Sequence, residues 1–219
     1  MTDDINEVMR KPEIRLRNGM WIPAFDHKPE AAYRSLQSGM PDLETTINMC
    51  ERKRTVFQAG GNIGLWPIRL ARSFNKVFTF EPVPATFRCL ERNTRGVSNI
   101  FKFPSALGAE QVVLKMRPSV SAGSWRVDTK EGTFEVPQTT IDSAQRADVD
   151  VIILDIEGYE VEALKGAAKT IERCKPLIHV EELPRAQEAI RAHMRSIGYR
   201  LARDYHRDRV YEWEGTSWR

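Results

Sequence analysis

From Arg54 onward the apolar positions change period every few residues. Short, nearly continuous apolar runs occur at 54–58, 76–80, 99–103, 149–154 (V-D-V-I-I-L) and 176–180 (P-L-I-H-V), as expected of strands buried on both faces. Between them, apolar residues recur at helical spacing and predict helices over 63–73, 84–94, 160–172 and 184–197. Val112–Met116 and Thr133–Pro137 read as paired strands of a β-rich insertion spanning about 110–138, with Pro118–Gly132 a mobile loop between them. Tyr199–Arg203 and Arg209–Trp213 read as a final antiparallel pair. Repeated strand–helix units imply an α/β fold, a doubly wound and mostly parallel sheet with a C-terminal hairpin.

The first 52 residues look different. Residues 1–20 are charged without a clear period, and Gly19–Pro29 suggests a short strand and turns. Pro29–Arg52 suggests two helical pieces broken at Gly39-Met40-Pro41, the second with Leu43, Ile47 and Cys50 on one side. The expected division is a cap or extension at 1–52 and a main domain at 53–219.

Composition narrows the class. With 219 residues, 41% hydrophobic and 29% charged, the chain has room for one full-sized core. A net charge of +3 is too mild to argue by itself for nucleic acid as a partner, and the longest apolar run is far too short to span a bilayer. The polar start M-T-D-D-I-N-E and three scattered cysteines suit a cytoplasmic protein without a disulfide or zinc framework.

Chemistry concentrates where the strands end. The first runs into Q-A-G-G-N-I-G (58–64), a glycine-rich turn before a helix. Gly60 and Gly64 allow tight turning and close ligand approach, and the helix start suits a carboxylate or phosphate. The second ends at Glu81, 21 residues beyond Gly60, where a carboxylate can accept hydrogen bonds from a ribose diol. The third leads to Ser105-Ala106-Leu107-Gly108, the fourth to Asp155-Ile156-Glu157, the fifth to His179-Val180-Glu181-Glu182. Each has a bland alternative: a common turn, acids near helix starts, solvated loop charges, a hydrogen-bonded core histidine. Their coincidence on one edge of the sheet favours a site.

The series F-Q-A-G-G-N-I-G, F-T-F-E-P-V-P-A-T-F-R-C-L-E-R-N, S-A-L-G, T-T-I-D-S and L-D-I-E-G-Y-E-V-E-A-L-K-G-A resembles the FkbM family of S-adenosylmethionine-dependent methyltransferases, from about Val56 to Glu181. The resemblance implies a Rossmann-like class I methyltransferase fold with S-adenosyl-L-methionine as cofactor. It sets Gly60, Asn62 and Gly64, with Gln58, around the methionine part, Glu81 on the ribose, and Ser105 and Ala106 beside adenine. Asp155 and Glu157 face the methyl and the acceptor. Two positions depart from the family pattern, which usually has Asp at Gln58 and often Lys at Leu154. Gln58 keeps a carbonyl but loses a charge that could pair with the cofactor's ammonium.

The leading expectation is O-methylation of a hydroxyl on a small molecule, sugar or glycan. Asp155 or Glu157 is the base or acceptor-orienting group, with Glu181 and His179 as second choices. A carboxylate cluster of Asp155, Glu157 and Glu181 could hold Mg²⁺, but no dedicated ligand spacing supports a metal. The alternative is an idle cofactor-binding or interaction module of the same fold, motivated by Gln58 and Leu154. Nucleic-acid methylation gains little, since D-I-E-G stands where a D/N-P-P-Y/F element would follow the fourth strand.

Overall fold

The computed structural model describes residues 13–26, 37–205 and 207–215. Seven strands form the central sheet: β3 (Thr55–Ala59), β4 (Lys76–Phe80), β5 (Ile100–Phe103), β10 (Val149–Leu154), β11 (Leu177–Glu181), β12 (Tyr199–Asp204) and β13 (Asp208–Trp213). Their order is β12-β13-β11-β10-β3-β4-β5. Strands β11, β10, β3, β4 and β5 run parallel to one another, and β13 runs antiparallel to both β11 and β12. The expected hairpin exists, with its second strand inserted beside β11.

The apolar runs explain the layering. Successive residues of a strand face opposite sides. Ile152 and Leu154 join Phe57, Ala163, Leu164 and Ile190 on one face, while Val151 and Ile153 join Leu43, Ile47, Trp66 and Leu70 on the other. The helices that supply these layers are α1 (Met40–Met49), α2 (Leu65–Ala71), α3 (Pro84–Asn93), α4 (Glu160–Lys165), α5 (Ala168–Cys174) and α6 (Gln187–Ser196). The first half of the expected N-terminal helix pair falls mostly outside the described residues. The second half is α1, which packs into the sheet's core.

Several expectations shift. The stretch read as periodless holds a strand, β1 (Ile14–Arg17), paired with β2 (Met20–Pro23) around Asn18-Gly19. Both turn residues have positive φ (49° and 79°), the requirement of a two-residue hairpin turn. The helix expected over 63–73 begins only at Leu65, because Asn62 (φ 46°) and Gly64 (φ 98°) are left-handed. The helix expected over 160–172 is divided after Lys165. Asp142 accepts hydrogen bonds from the Lys169 and Thr170 N–H groups (3.0 and 2.8 Å) and so caps a new helix start.

The insertion folds as a second small sheet of β6 (Ala106–Leu107), β9 (Phe134–Thr139), β7 (Val113–Arg117) and β8 (Arg126–Val127), in the order β6-β9-β7-β8. Residues 118–132, expected to be loop, contain a 3-10 turn at Ala122–Ser124 and strand β8. Trp125 is the reason. Its ring is 5% exposed, packs edge-on against Phe134 at 5.6 Å, and donates its indole N–H to the Ser119 carbonyl at 2.9 Å. No helix among the described residues is long and apolar enough to cross a membrane.

Candidate active site

A cavity of about 300 Å³ opens at the carboxyl ends of β3, β4, β10 and β11, the edge where an open α/β sheet binds ligands. Its floor is the glycine turn, Gly60 and Asn62. One wall is Glu81, Val83, Ser105, Ala106 and Leu107. The small sheet supplies Met116, Ser121–Trp125 and Val127, and Asp155, Glu157, Glu181 and Arg207 close the far end.

The turn is built by close approach. A Cβ on Gly60 (φ 84°) would lie 2.1 Å from the Asp155 carbonyl oxygen. The Gly60 and Gly61 N–H groups both donate to the Phe80 carbonyl, at 3.1 and 2.9 Å. These two amides therefore clamp β3 to β4 rather than pointing free into the cavity. Gln58 completes the clamp from below: its Nε2 donates to the Gly60 carbonyl (2.8 Å) and its Oε1 accepts from the Thr79 hydroxyl (2.6 Å). Gln58 is fully buried beneath the turn and does not line the cavity. Gly64 does not either; a Cβ there would meet Leu90 and Thr94 of the α3 segment at 3.1 Å, so it is a packing glycine. Leu154 is fully buried in the core.

Glu81 ends β4 with its carboxylate fixed at both oxygens, accepting from the Asn62 N–H (3.0 Å) and the Val83 N–H (2.9 Å). Burial outweighs these bonds and pushes its pKa up to about 7. Ser105 and Ala106 follow β5 on the adjoining wall, both nearly buried.

The opposite end is acidic. Asp155 follows β10 and Glu181 ends β11, and their side chains are hydrogen-bonded to each other. Burial raises both pKa values first; the charges of Asp208 and Glu157 raise that of Asp155 further, against a lowering by Glu181, and the charges of Asp155 and Glu157 raise that of Glu181. Two carboxyls that interact in this way lose their protons in coupled steps that belong to the pair, and both steps are shifted upward. Glu157 stands next to the pair with φ 57°. Burial raises its pKa too, opposed by the charges of Arg185, Arg207 and Arg126. Its loop is tied by Arg185 Nη2 donating to the Glu157 carbonyl (2.9 Å) and by Glu160, whose carboxylate accepts from the Ile156 and Gly158 N–H groups.

His179 lies apart from the cavity. It is 1% exposed, with Nδ1 at 2.8 Å from the Thr46 hydroxyl of α1 and its ring edge against Trp66. It joins the N-terminal helix to the sheet. Glu182, which follows Glu181, is turned into a buried network with Tyr211 and Arg191.

Sequence reasoning did not pick out Arg207 or Met116 as cavity residues. Arg207 sits in the β12–β13 turn among interspersed charges, where no pattern marks it. The Ser-Ala-Gly-Ser segment gave one usable signal, Trp125, whose burial folds those small residues over the cavity. Among the described residues no group of three or more His, Cys, Asp or Glu side chains is placed to hold a metal.

Cavity and chemistry fit a nucleoside-bearing cofactor: the buried Glu81 carboxylate, Ser105 and Ala106 share one wall, and the glycine turn packs tightly against β10 and β4 to set the floor. Known proteins point the same way. Residues 58–201 match the methyltransferase FkbM domain family. The hexuronic acid methyltransferase AglP of Haloferax volcanii is 26% identical over 146 residues, 64% of this chain and 60% of that protein. Methyltransferase 1 of Beauveria bassiana is 26% identical over 142 residues, 51% of this chain and 57% of that one. The chain thus spans less than two thirds of the length of either curated relative. A crystal structure of methyltransferase FkbM from Methylobacillus flagellatus superimposes with a TM-score of 0.54 at 20% identity, covering 74% of this chain and 44% of that one; that likeness speaks for the fold. The glycine turn, Glu81 and the acids after β10 and β11 all fall inside the matched segment, and the chain belongs to the FkbM methyltransferase domain family.

Proposed function

We propose that this chain transfers a methyl group from S-adenosylmethionine to a hydroxyl of a small molecule, sugar or glycan. The observation that carries the reading is one cavity with a buried, doubly hydrogen-bonded Glu81 at one end and the Asp155–Glu181 acid pair at the other. The sugar or glycan class is supported by the hexuronic acid named for the Haloferax relative.

The bound cofactor supplies a methyl group on a sulfonium, an electrophile that needs no further activation. The residues of this chain do the rest. Glu81 has lone pairs left after its two backbone bonds and accepts the ribose hydroxyls. Val83, Ser105, Ala106 and Leu107 flank the adenine. Gly60 and Asn62 border the methionine end, while Gln58 and Gly64 act from behind by holding the turn. Holding two reactants in line can contribute about 7–11 kcal/mol of barrier lowering.

The Asp155–Glu181 pair serves as base. Its ionised member would take the acceptor's hydroxyl proton, and the protonated member would orient the oxygen. Their raised pKa values bring the base near the operating pH, where general-base catalysis contributes about 10²–10⁴-fold. Glu157 borders the acceptor space. The idle-module reading draws no support from Gln58 or Leu154, since both side chains are spent on packing away from the cavity.

Calorimetric titration with S-adenosylmethionine and S-adenosylhomocysteine, followed by transfer of labelled methyl to sugar acceptors, tests this. Absence of binding of either compound sinks the proposal. Binding without transfer to any acceptor revives the idle module.

A further inference from the structure

His179 spends one ring nitrogen on the fold and leaves the other without a partner. The Thr46 hydroxyl donates its single hydrogen to the Asp42 carbonyl (3.1 Å). Toward His179 Nδ1, at 2.8 Å, that hydroxyl can therefore only accept, and Nδ1 carries a proton. Nε2 is buried with no hydrogen-bond partner among the described residues and lies 3.6 Å from Asp208 Oδ1. The charge state of the ring is thus decided at the nitrogen that faces Asp208. Asp208 in turn stands directly opposite Glu181 in the β11–β13 pair, and His179 lies two residues before Glu181, on the same side of β11. Ile153 and Leu154 align with His179 and Val180, which brings the next residue, Asp155, level with Glu181. Asp155, Glu181, Asp208 and His179 therefore form one row on the sheet face that packs against α1 and α2. The other charged groups facing this row are Asp42 in the first turn of α1, and Glu157 and Arg207 at the cavity.

Resting on the methyl-transfer reading, we propose that Asp208 and His179 are positioning residues of the Asp155–Glu181 pair. The Asp208 carboxylate sets how readily the pair takes and releases a proton, and the His179 ring moderates Asp208. Neither residue lines the cavity, so both act through the pair. A carboxylate behind the pair favours its protonated forms by like-charge repulsion, and an imidazolium at Nε2 offsets that effect. The bland alternative is that His179 only ties α1 to the sheet. That task uses Nδ1 and the ring edge against Trp66. It does not require a second ring nitrogen buried, unpartnered, beside a carboxylate, which is a cost. Two effects on neighbouring acids accord with the row. After burial, the charge of Asp208 is the largest cause that raises Asp155. At Asp42, burial raises the pKa first, Asp208 raises it further, and the charge of His179 opposes both.

The test follows the titration of the pair by NMR of isotope-labelled Asp and Glu side-chain carboxyls in the full chain, without cofactor or acceptor. Asp155→Asn and Glu181→Gln assign the signals. Asp208→Asn keeps the size and removes the charge, and should lower the titration of the pair by about half a pH unit or more. Asp208→Glu keeps the charge and should stay near the wild-type value. His179→Gln should raise the titration, and should add nothing in the Asp208→Asn background, because the ring acts through Asp208. Dispersion of the same spectra reports folding, and the Asp208→Asn arm decides the proposal by itself if the buried His179 variant does not fold. The rising limb of the rate–pH profile for labelled methyl transfer should move in the same direction as the titration in each variant. An unchanged titration in either folded single variant, a His179→Gln shift that persists in the double variant, or a profile that stays in place while the titration moves overturns the proposal. Absence of methyl transfer in the wild type, with the NMR shifts intact, overturns the methyl-transfer reading and not the charge coupling.

Discussion

If Glu81 accepts the ribose hydroxyls as proposed, it ties cofactor affinity to pH. Its carboxylate is 5% exposed, accepts from the Asn62 and Val83 N–H groups, and titrates near 7 because it is buried. Glu81→Gln keeps the size but offers a single accepting oxygen without charge. One backbone N–H then faces the amide nitrogen, a penalty borne by free and bound protein alike. What affinity loses is the charge on the acceptor of the ribose hydroxyls. Hydrogen bonds to charged groups contribute about 1.5–3 kcal/mol each, against roughly 1 for neutral ones, so the expected loss is about 2–3 kcal/mol, roughly 30- to 140-fold in Kd. In the wild type, binding that requires the ionised carboxylate strengthens as pH rises through about 7 and weakens about tenfold per unit below it. The sign for stability is opposite. Neutral Glu81 is favoured by burial, so this contribution is fully present below the ordinary value of 4.5 and is lost as pH rises through about 7. Calorimetry of S-adenosylhomocysteine binding across that window, in buffers of different ionisation heat, reads both affinity and proton release. A Gln variant that binds within about threefold of wild type and keeps the same pH slope would refute the reasoning.

Asp155→Asn and Glu181→Gln should each lower kcat by about 10²–10⁴-fold, while the affinity for S-adenosylhomocysteine changes far less; single-turnover rates beside calorimetry check this. The wild-type rate should rise with pH through the pair's elevated range, and a flat profile removes the pair from the base role. Gly60→Ala combines a φ of 84° with a Cβ 2.1 Å from the Asp155 carbonyl oxygen, and should destabilise the fold by about 2 kcal/mol or more in urea unfolding. Trp125→Ala removes the anchor of the 3-10 turn over the cavity. It should cost about 3–5 kcal/mol locally, read as faster proteolysis within 118–132 and weaker S-adenosylhomocysteine binding.

The sheet was legible because its central strands β3, β10 and β11 are buried on both faces. Lys76–Phe80 and Val149–Leu154 match their expected bounds residue for residue. Such runs carry their own signal irrespective of partner. The failures share the opposite cause. Strand β1 has one partly buried position out of four, so its apolar content says nothing; only Asn18-Gly19 announces it. The break after Lys165 comes from Asp142, more than twenty residues upstream, which no local period can register. The same division runs through the cavity. Glu81, Asp155 and Glu181 sit at strand ends and could be found by asking where each strand stops. Arg207 and the Ser-Ala-Gly-Ser turn reach the cavity only through tertiary packing. Gln58 was visible as a departure, yet its role as a clamp on the Gly60 carbonyl and the Thr79 hydroxyl needed the coordinates.

Strand β13 is paired on both sides, with β11 along Ile178–Glu181 and with β12 along Tyr199–Asp204. During synthesis from the N-terminus, β11 therefore waits with an open, apolar edge until residues 208–213 emerge. That edge is the most exposed template for faulty pairing in the growing chain. The arriving strand brings Asp208 opposite Glu181 and sets Arg207 at the cavity mouth in the same step. Closing the sheet and finishing the site are thus one event. A copy interrupted before β13 leaves the β11 edge unpaired and lacks the strand that sets Arg207 at the cavity mouth.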